Sequence, residues 1–178
     1  MRLHRSEQEL ILELTKAPNP NELQILYGLS YVPKCSVKML KLIRWIPPIH
    51  DFSLNIDGAC QGNPGECGGG GCIRDSQGSV HVAFSHYYGE GTGMIAEIRA
   101  LCDGLRLAIS LGYKVSIVYS NSQVFLKSIS EDKVISWRSY RWWREAKVLF
   151  SRELIQLSHV YRETNQLADS LANLAIKN

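Results

Sequence analysis

The sequence predicts an α/β domain built on a five-stranded mixed sheet flanked by helices. Three observations carry this expectation. Strand-like segments follow one another between residues 52 and 87, separated by turn residues. Beyond residue 94, helical spacing of apolar residues alternates with short apolar runs, as in β-α-β crossovers. The resulting order, β-β-β-α-β-α-α-β-α, joins hairpins to crossovers and so gives a sheet of mixed direction.

Phe52, Leu54 and Ile56 alternate with Ser53, Asn55 and Asp57, the period of a half-buried strand ending at Asp57. Gln61-Gly62-Asn63-Pro64-Gly65 is turn chemistry. Residues 69–74 and 79–87 read as two strands around a hairpin turn, Asp75-Ser76-Gln77-Gly78. Residues 94–111 read as a helix with Ile98, Leu101, Leu105, Ala108 and Ile109 on one face and Gly112 just past its end. Val115, Ile117, Val118 and Tyr119 form the fourth strand. Residues 122–130 and 137–152 read as helices, and Ile155 to Tyr161 as the fifth strand. Thr164 or Asn165 caps a last helix with Leu167, Leu171 and Leu174 as its apolar stripe.

The N-terminal part is less regular. Leu10, Ile11, Leu14, Leu23 and Leu26 fall at helical spacing over residues 6–28, interrupted by Pro18 and Pro20. Residues 29–50 lack clear periodicity and end in Trp45-Ile46-Pro47-Pro48, which reads as an extended linker. The expected division is an N-terminal extension and linker over 1–50 and the main domain over 51–178.

Apolar residues make up 45% and charged residues 21% of the 178, the profile of a globular protein. No apolar run reaches the roughly 20 residues of a membrane span, and the first residues are too polar for a secretory leader. An intracellular place, nuclear or cytoplasmic, is therefore expected. The five cysteines, an odd number with no CxxC pair, argue against a disulfide framework and against structural zinc. Residues 1–50 carry seven Lys or Arg and four acids, and the rest carries thirteen of each. Basic charge gathers at Arg138, Arg141, Arg144, Lys147 and Arg152, interleaved with Trp137, Trp142 and Trp143. That stretch is either a footprint for a phosphate backbone or the solvated face of a helix packed through its tryptophans. The run Gly65-Glu66-Cys67-Gly68-Gly69-Gly70-Gly71 lacks the Lys of a P-loop and leads into a strand. Its glycines are expected to let backbones approach closely.

Asp57, Glu97 and Asp169 are acids that such a sheet can bring together around hard cations. Their local strings carry more information. Asp57-Gly58-Ala59-Cys60-Gln61-Gly62-Asn63-Pro64-Gly65 resembles the first catalytic motif of the ribonuclease H family. Ala96-Glu97, Ser120-Asn121-Ser122-Gln123 and Arg162-Glu163-Thr164-Asn165-Gln166-Leu167-Ala168-Asp169 resemble the second, third and fourth. The resemblance runs over about residues 51–177 and is nearest to the ribonuclease H-like domains of plant retroelement (retrotransposon)-type proteins.

The resemblance implies a ribonuclease H-like fold that binds RNA–DNA hybrids as a monomer. It implies endonucleolytic hydrolysis of the RNA strand by two Mg²⁺ ions, with Mn²⁺ a possible substitute. Asp57 would bridge both ions, Glu97 would hold the leaving-group ion and Asp169 the ion carrying the attacking water. The remaining bridging Asp of the family falls on position 121, where this chain has Asn. An amide offers one neutral oxygen where a carboxylate offers two anionic ones, so impaired turnover is expected. The alternatives are a non-catalytic hybrid-binding module or a decayed mobile-element domain. The resemblance also marks Cys60, Asn63 and Gln123 as groove-reading residues and Thr92 as a phosphate contact. Gly93 and Met94 stand where two Asn are common in the family. His159 is near the position of a mobile His that aids product release, with a locally satisfied strand histidine as the alternative.

Overall fold

The computed structural model describes residues 7–15, 20–29, 37–134, 136–152 and 154–177. It contains two compact units, Gln8–Arg44 and a larger one that runs from Trp45 onward. The smaller unit is made of β1 (Glu7–Thr15), α1 (Pro20–Gly28) and β2 (Val37–Trp45), with β1 and β2 paired in a two-stranded sheet. Two expectations are corrected here. Residues 7–15 are a strand rather than the start of a helix, because Leu10, Leu12 and Leu14 also recur every second residue. Residues 37–45 are its partner rather than linker. Each strand supplies the hydrogen bonds that the other lacks alone.

The larger unit contains β3 (Phe52–Gly62), β4 (Gly65–Arg74), β5 (Val80–Gly91), α2 (Gly93–Ser110) and β6 (Val115–Ser120). After these come α3 (Gln123–Ser130), a 3₁₀ turn at Trp137–Ser139, α4 (Tyr140–Arg152), β7 (Gln156–His159), a second 3₁₀ turn at Arg162–Thr164, and α5 (Gln166–Lys177). The sheet order is β5-β4-β3-β6-β7. The hairpin strands are antiparallel, whereas β3–β6 and β6–β7 are parallel. The expected five-stranded mixed sheet is therefore present, and β3 lies at its centre.

One face of β3 carries Leu54 and Ile56 into the main core, where they meet Ile73, Phe84, Ile98, Leu101, Leu105, Val118 and Phe125. Burying each such side chain contributes about 1.5–3 kcal/mol. Ile109, expected on the same face of α2, is half exposed. Contrary to the sequence reading, β3 does not end at Asp57. It continues against β4 to Gly62, and only its parallel pairing with β6 stops, after Asn55 opposite Tyr119. Asp57 thus lies just beyond the point where β3 loses one neighbour.

The last helix also differs from expectation. Its buried face is Ala168, Ala172 and Ala175, while Leu167 and Leu174 are exposed. The cause lies in β4. A Cβ on Gly70 would collide with the backbone of Ala172, and one on Gly68 with the side chain of Ala175. The helix backbone rests on the strand, and only small side chains fit between. The close approach expected of this glycine run is thus present. At the other end, Trp45 packs edge-to-face on Tyr119, with ring centroids 5.9 Å apart, and Arg74 lies over its ring. This fixes the start of the larger unit.

A further correction concerns the cysteines. Cys60 and Cys67 stand opposite each other in the β3–β4 hairpin and are joined by a disulfide. An odd cysteine count without CxxC hides such a pair, because it depends on hairpin register. Cys72 and Cys102 are free and buried.

Candidate active site

Asp57 points to the face of β3 opposite Leu54 and Ile56, and it is 5% exposed. Glu97 reaches the same place from the second turn of α2. That helix is capped by the Thr92 hydroxyl, which accepts from the Ile95 N–H at 3.4 Å. Its backbone can sit on β3 only because residue 58 is glycine: a Cβ there would overlap the backbone of Ala96 and Glu97. Glu97 is 7% exposed, and its Oε2 is buried with no hydrogen-bond partner. Its other contacts are the Ser120 side chain and the Gly58 backbone, which favour the ionised form. Burial and the neighbouring Asp57 outweigh them and push the Glu97 carboxyl well above the usual range. Asp57 is pushed up to about 7, first by burial and then by the charge of Asp169, to which it donates a hydrogen bond. Two neighbouring carboxyls are thus both raised, each by burial first and then by the charge of a nearby acid.

Asn121 follows β6. The N–H of Ser122 donates to Ser120 Oγ at 3.0 Å, and Ser122 caps α3, so the loop around residue 121 is fixed on both sides. Asn165, 2% exposed, ties this loop to the sheet. Its Nδ2 donates to the Ile56 carbonyl at 2.8 Å and to Asn121 Oδ1 at 3.5 Å. Its Oδ1 accepts from Asn55 Nδ2 at 3.1 Å. The sequence reads Asn165 only as a helix cap; its bridging role depends on partners 44 to 110 residues away and has no local signal. Asp169 lies in the first turn of α5. Arg162, on the turn before α5, donates to Asp169 Oδ1 through Nε at 3.0 Å and through Nη2 still closer. This pairing was also missed.

Asp57 therefore interacts with both Glu97 and Asp169 where the parallel pairing ends, and Asn121 reaches this end of β3 through Asn165. His159 closes β7 beside Ser120 and packs edge-to-face on Tyr161. Asn63 is exposed at the tip of the β3–β4 hairpin, and Gln123 is exposed at the start of α3. The Cys60 thiol, expected to face a ligand, is instead committed to Cys67. Arg138, Arg141 and Arg144 are exposed, whereas Lys147 pairs with Asp132 at 2.8 Å. Trp142 and Trp143 pack against the core, while Trp137 is 82% exposed. Arg152 falls outside the residues whose side chains are described.

A mixed five-stranded sheet with buried acids where its central parallel pair ends defines a ribonuclease H-type domain. A family model described as reverse transcriptase-like matches residues 55–175. A protein of Arabidopsis thaliana, provisionally named a ribonuclease H protein, is 33% identical over 141 residues, covering 76% of this chain and 22% of the relative. Ribonuclease HI of Halobacterium salinarum is 29% identical over 126 residues, covering 67% of this chain and 61% of the relative. The chain thus spans about a fifth of the Arabidopsis protein and under two thirds of the archaeal enzyme. Among solved structures, LC11-RNase H1 from compost, in complex with an RNA/DNA hybrid, superposes with a TM-score of 0.66 at 28% identity, covering 71% of this chain and 96% of that one. The chain belongs to the ribonuclease H family.

Proposed function

We propose that residues 51–178 form a hybrid-binding ribonuclease H-type domain, preceded by an extension over 1–50, whose cleavage of the RNA strand is impaired by Asn121. The observation that carries this reading is the grouping of Asp57, Glu97 and Asp169 where the parallel pairing ends, with Asn121, an amide in place of one acid, brought there through Asn165. The solved relative in complex with an RNA/DNA hybrid supports the choice of ligand.

The residues fit one hard divalent cation better than two. The orphaned Oε2 of Glu97 and the raised carboxyl of Asp57 form an oxygen pair short of positive charge. A second ion would need Asp169, which is engaged by Arg162, and the missing charge at position 121. Among the described residues, no three His, Cys, Asp or Glu side chains form a preformed cage. Magnesium, or manganese in its place, would be held by Asp57 and Glu97 and would neutralise charge on the scissile phosphate. Asp57, ionised above about pH 7, binds and orients; Glu97 is held by Ser120; and Asn121 orients a polar contact without adding charge. Gln123, Asn63 and Thr92 would face the hybrid, and His159 would serve product departure. We place the domain inside a cell, nuclear or cytoplasmic. We expect the domain to act as a monomer.

The decisive assay compares this chain with Asn121→Asp on a labelled hybrid in Mg²⁺ and in Mn²⁺, with hybrid binding measured in Ca²⁺. We expect both to bind and Asn121→Asp to cleave on the order of a hundredfold faster. Equal cleavage by both would remove the role given to position 121. Binding without cleavage by either would favour a binding module with no latent turnover.

A further inference from the structure

One of the chain's own cations, Arg162, meets Asp169, the outermost of these acids. Arg162 lies seven residues before Asp169, on the 3₁₀ turn that leads into α5, and puts both Nε and Nη2 on the same oxygen, Oδ1. A surface guanidinium next to an acid is ordinary, and such pairs are weak. This one differs in position. Its acid is hydrogen-bonded to Asp57, and its charge acts on Asp57 as well. The pair also lines a small recess with Glu163 and Gln166, open to solvent beside the buried acids. The site therefore has two limbs. The inner one, Asp57 with Glu97, ends in the unpartnered Oε2 of a side chain more than nine-tenths buried. The outer one, Asp169, already has a positive partner.

We propose that Arg162 is a built-in counter-ion for Asp169 that closes the outer limb to a divalent cation, so that the chain takes one such ion, at Asp57 and Glu97. This rests on the proposed reading of the acids as a cation site. The chemistry is direct. A guanidinium and a divalent ion compete for the same oxygen, and they repel each other when both are near. With Asn121 neutral, Asp169 is the outer limb's carboxylate toward Asp57, and Glu163 at the recess also acts on Arg162 rather than freeing Asp169 from it. Arg162 thus determines how many ions bind through its contact with Asp169, while its charge reaches Asp57 only from a distance.

The test counts bound Mn²⁺ directly, by the loss of the free-ion paramagnetic resonance signal, with no nucleic acid present. The intact chain should bind one Mn²⁺, and Asp57→Asn should abolish it. Arg162→Ala should add a second ion, or tighten total binding by about five- to tenfold, the size expected from removing one screened charge. Arg162→Lys, which keeps the charge, should bind like the parent. Arg162→Ala combined with Asp169→Asn should return to one ion, and melting curves confirm that each variant is folded. If Asp57→Asn binds Mn²⁺ as the parent does, the cation-site reading fails and this inference with it. If Asp57→Asn loses the ion but Arg162→Ala binds like the parent, only the role of Arg162 is overturned.

Discussion

The backbone nitrogen of Glu97 lies where a Cβ on residue 58 would stand. Gly58 thus sets the depth to which α2 settles on β3, and with it the height of the Glu97 carboxylate beside Asp57. Gly58→Ala should cost about 2–4 kcal/mol of stability, because backbone rather than a flexible side chain must give way. Gly93→Ala, where a Cβ meets open space, should change stability by less than about 0.5 kcal/mol. Urea midpoints of the two variants check this, and equal midpoints would contradict it.

Asp57 gives a pH signature. Its carboxyl is raised from 3.8 to about 7 in the folded chain. Below about pH 4 it is protonated in both folded and unfolded states. Between 4 and 7 the folded state keeps a proton that the unfolded chain releases, so stability falls as pH rises and levels off above 7. Without divalent ions, Asp57→Asn should therefore be more stable than the parent at pH 8 by roughly 2–4 kcal/mol, with the gap closing toward pH 4. Thermal melts across that range test it. A gap that does not depend on pH would mean that Asp57 is not held in this way.

Asn165 links three elements through one amide. Asn165→Ala leaves the Asn55 side chain and the Ile56 carbonyl without their partner and frees Asn121. The expected loss is about 2–3 kcal/mol. Combined with Asn121→Asp, it should lower any recovered hybrid cleavage at least several-fold. Full cleavage in the double variant would show that Asn165 does not position residue 121.

The exposed arginines test the nucleic-acid face. Replacing Arg138 and Arg141 with Gln should lower the salt slope of hybrid binding by about two units if both meet phosphates. Trp137, 82% exposed on the same turn, should be replaceable by Ala without loss of stability, whereas Trp143→Ala should be destabilising. An unchanged slope would assign these arginines to ordinary solvated surface.

The mixed sheet was legible in the sequence because turn residues separate its hairpin strands, the start of β3 alternates every second residue and α2 carries an apolar face. Asp57 and Glu97 stood in strings whose glycine or helical context is local. What stayed hidden depends on register and long-range contact. Opposite placement makes Cys60 and Cys67 a pair. The glycines of β4 select Ala172 rather than leucine as the buried face of α5. Arg162 has no partner legible in its own string, and only the turn that folds it back onto Asp169 supplies one. In residues 7–15 two periods coexist, and pairing with a distant strand decides between them.

The seating of α5 on β4 has a consequence for synthesis. Gly68 and Gly70 present bare backbone early in translation, and their cover, Ala172 and Ala175, is made about a hundred residues later. Until those last turns leave the ribosome, the first hairpin has no lid, Asp57 lacks Asp169, and Asn55 and the Ile56 carbonyl lack Asn165. The domain should therefore complete its fold late and as one event, and a nascent chain stalled before residue 166 should remain sensitive to protease along its whole sheet.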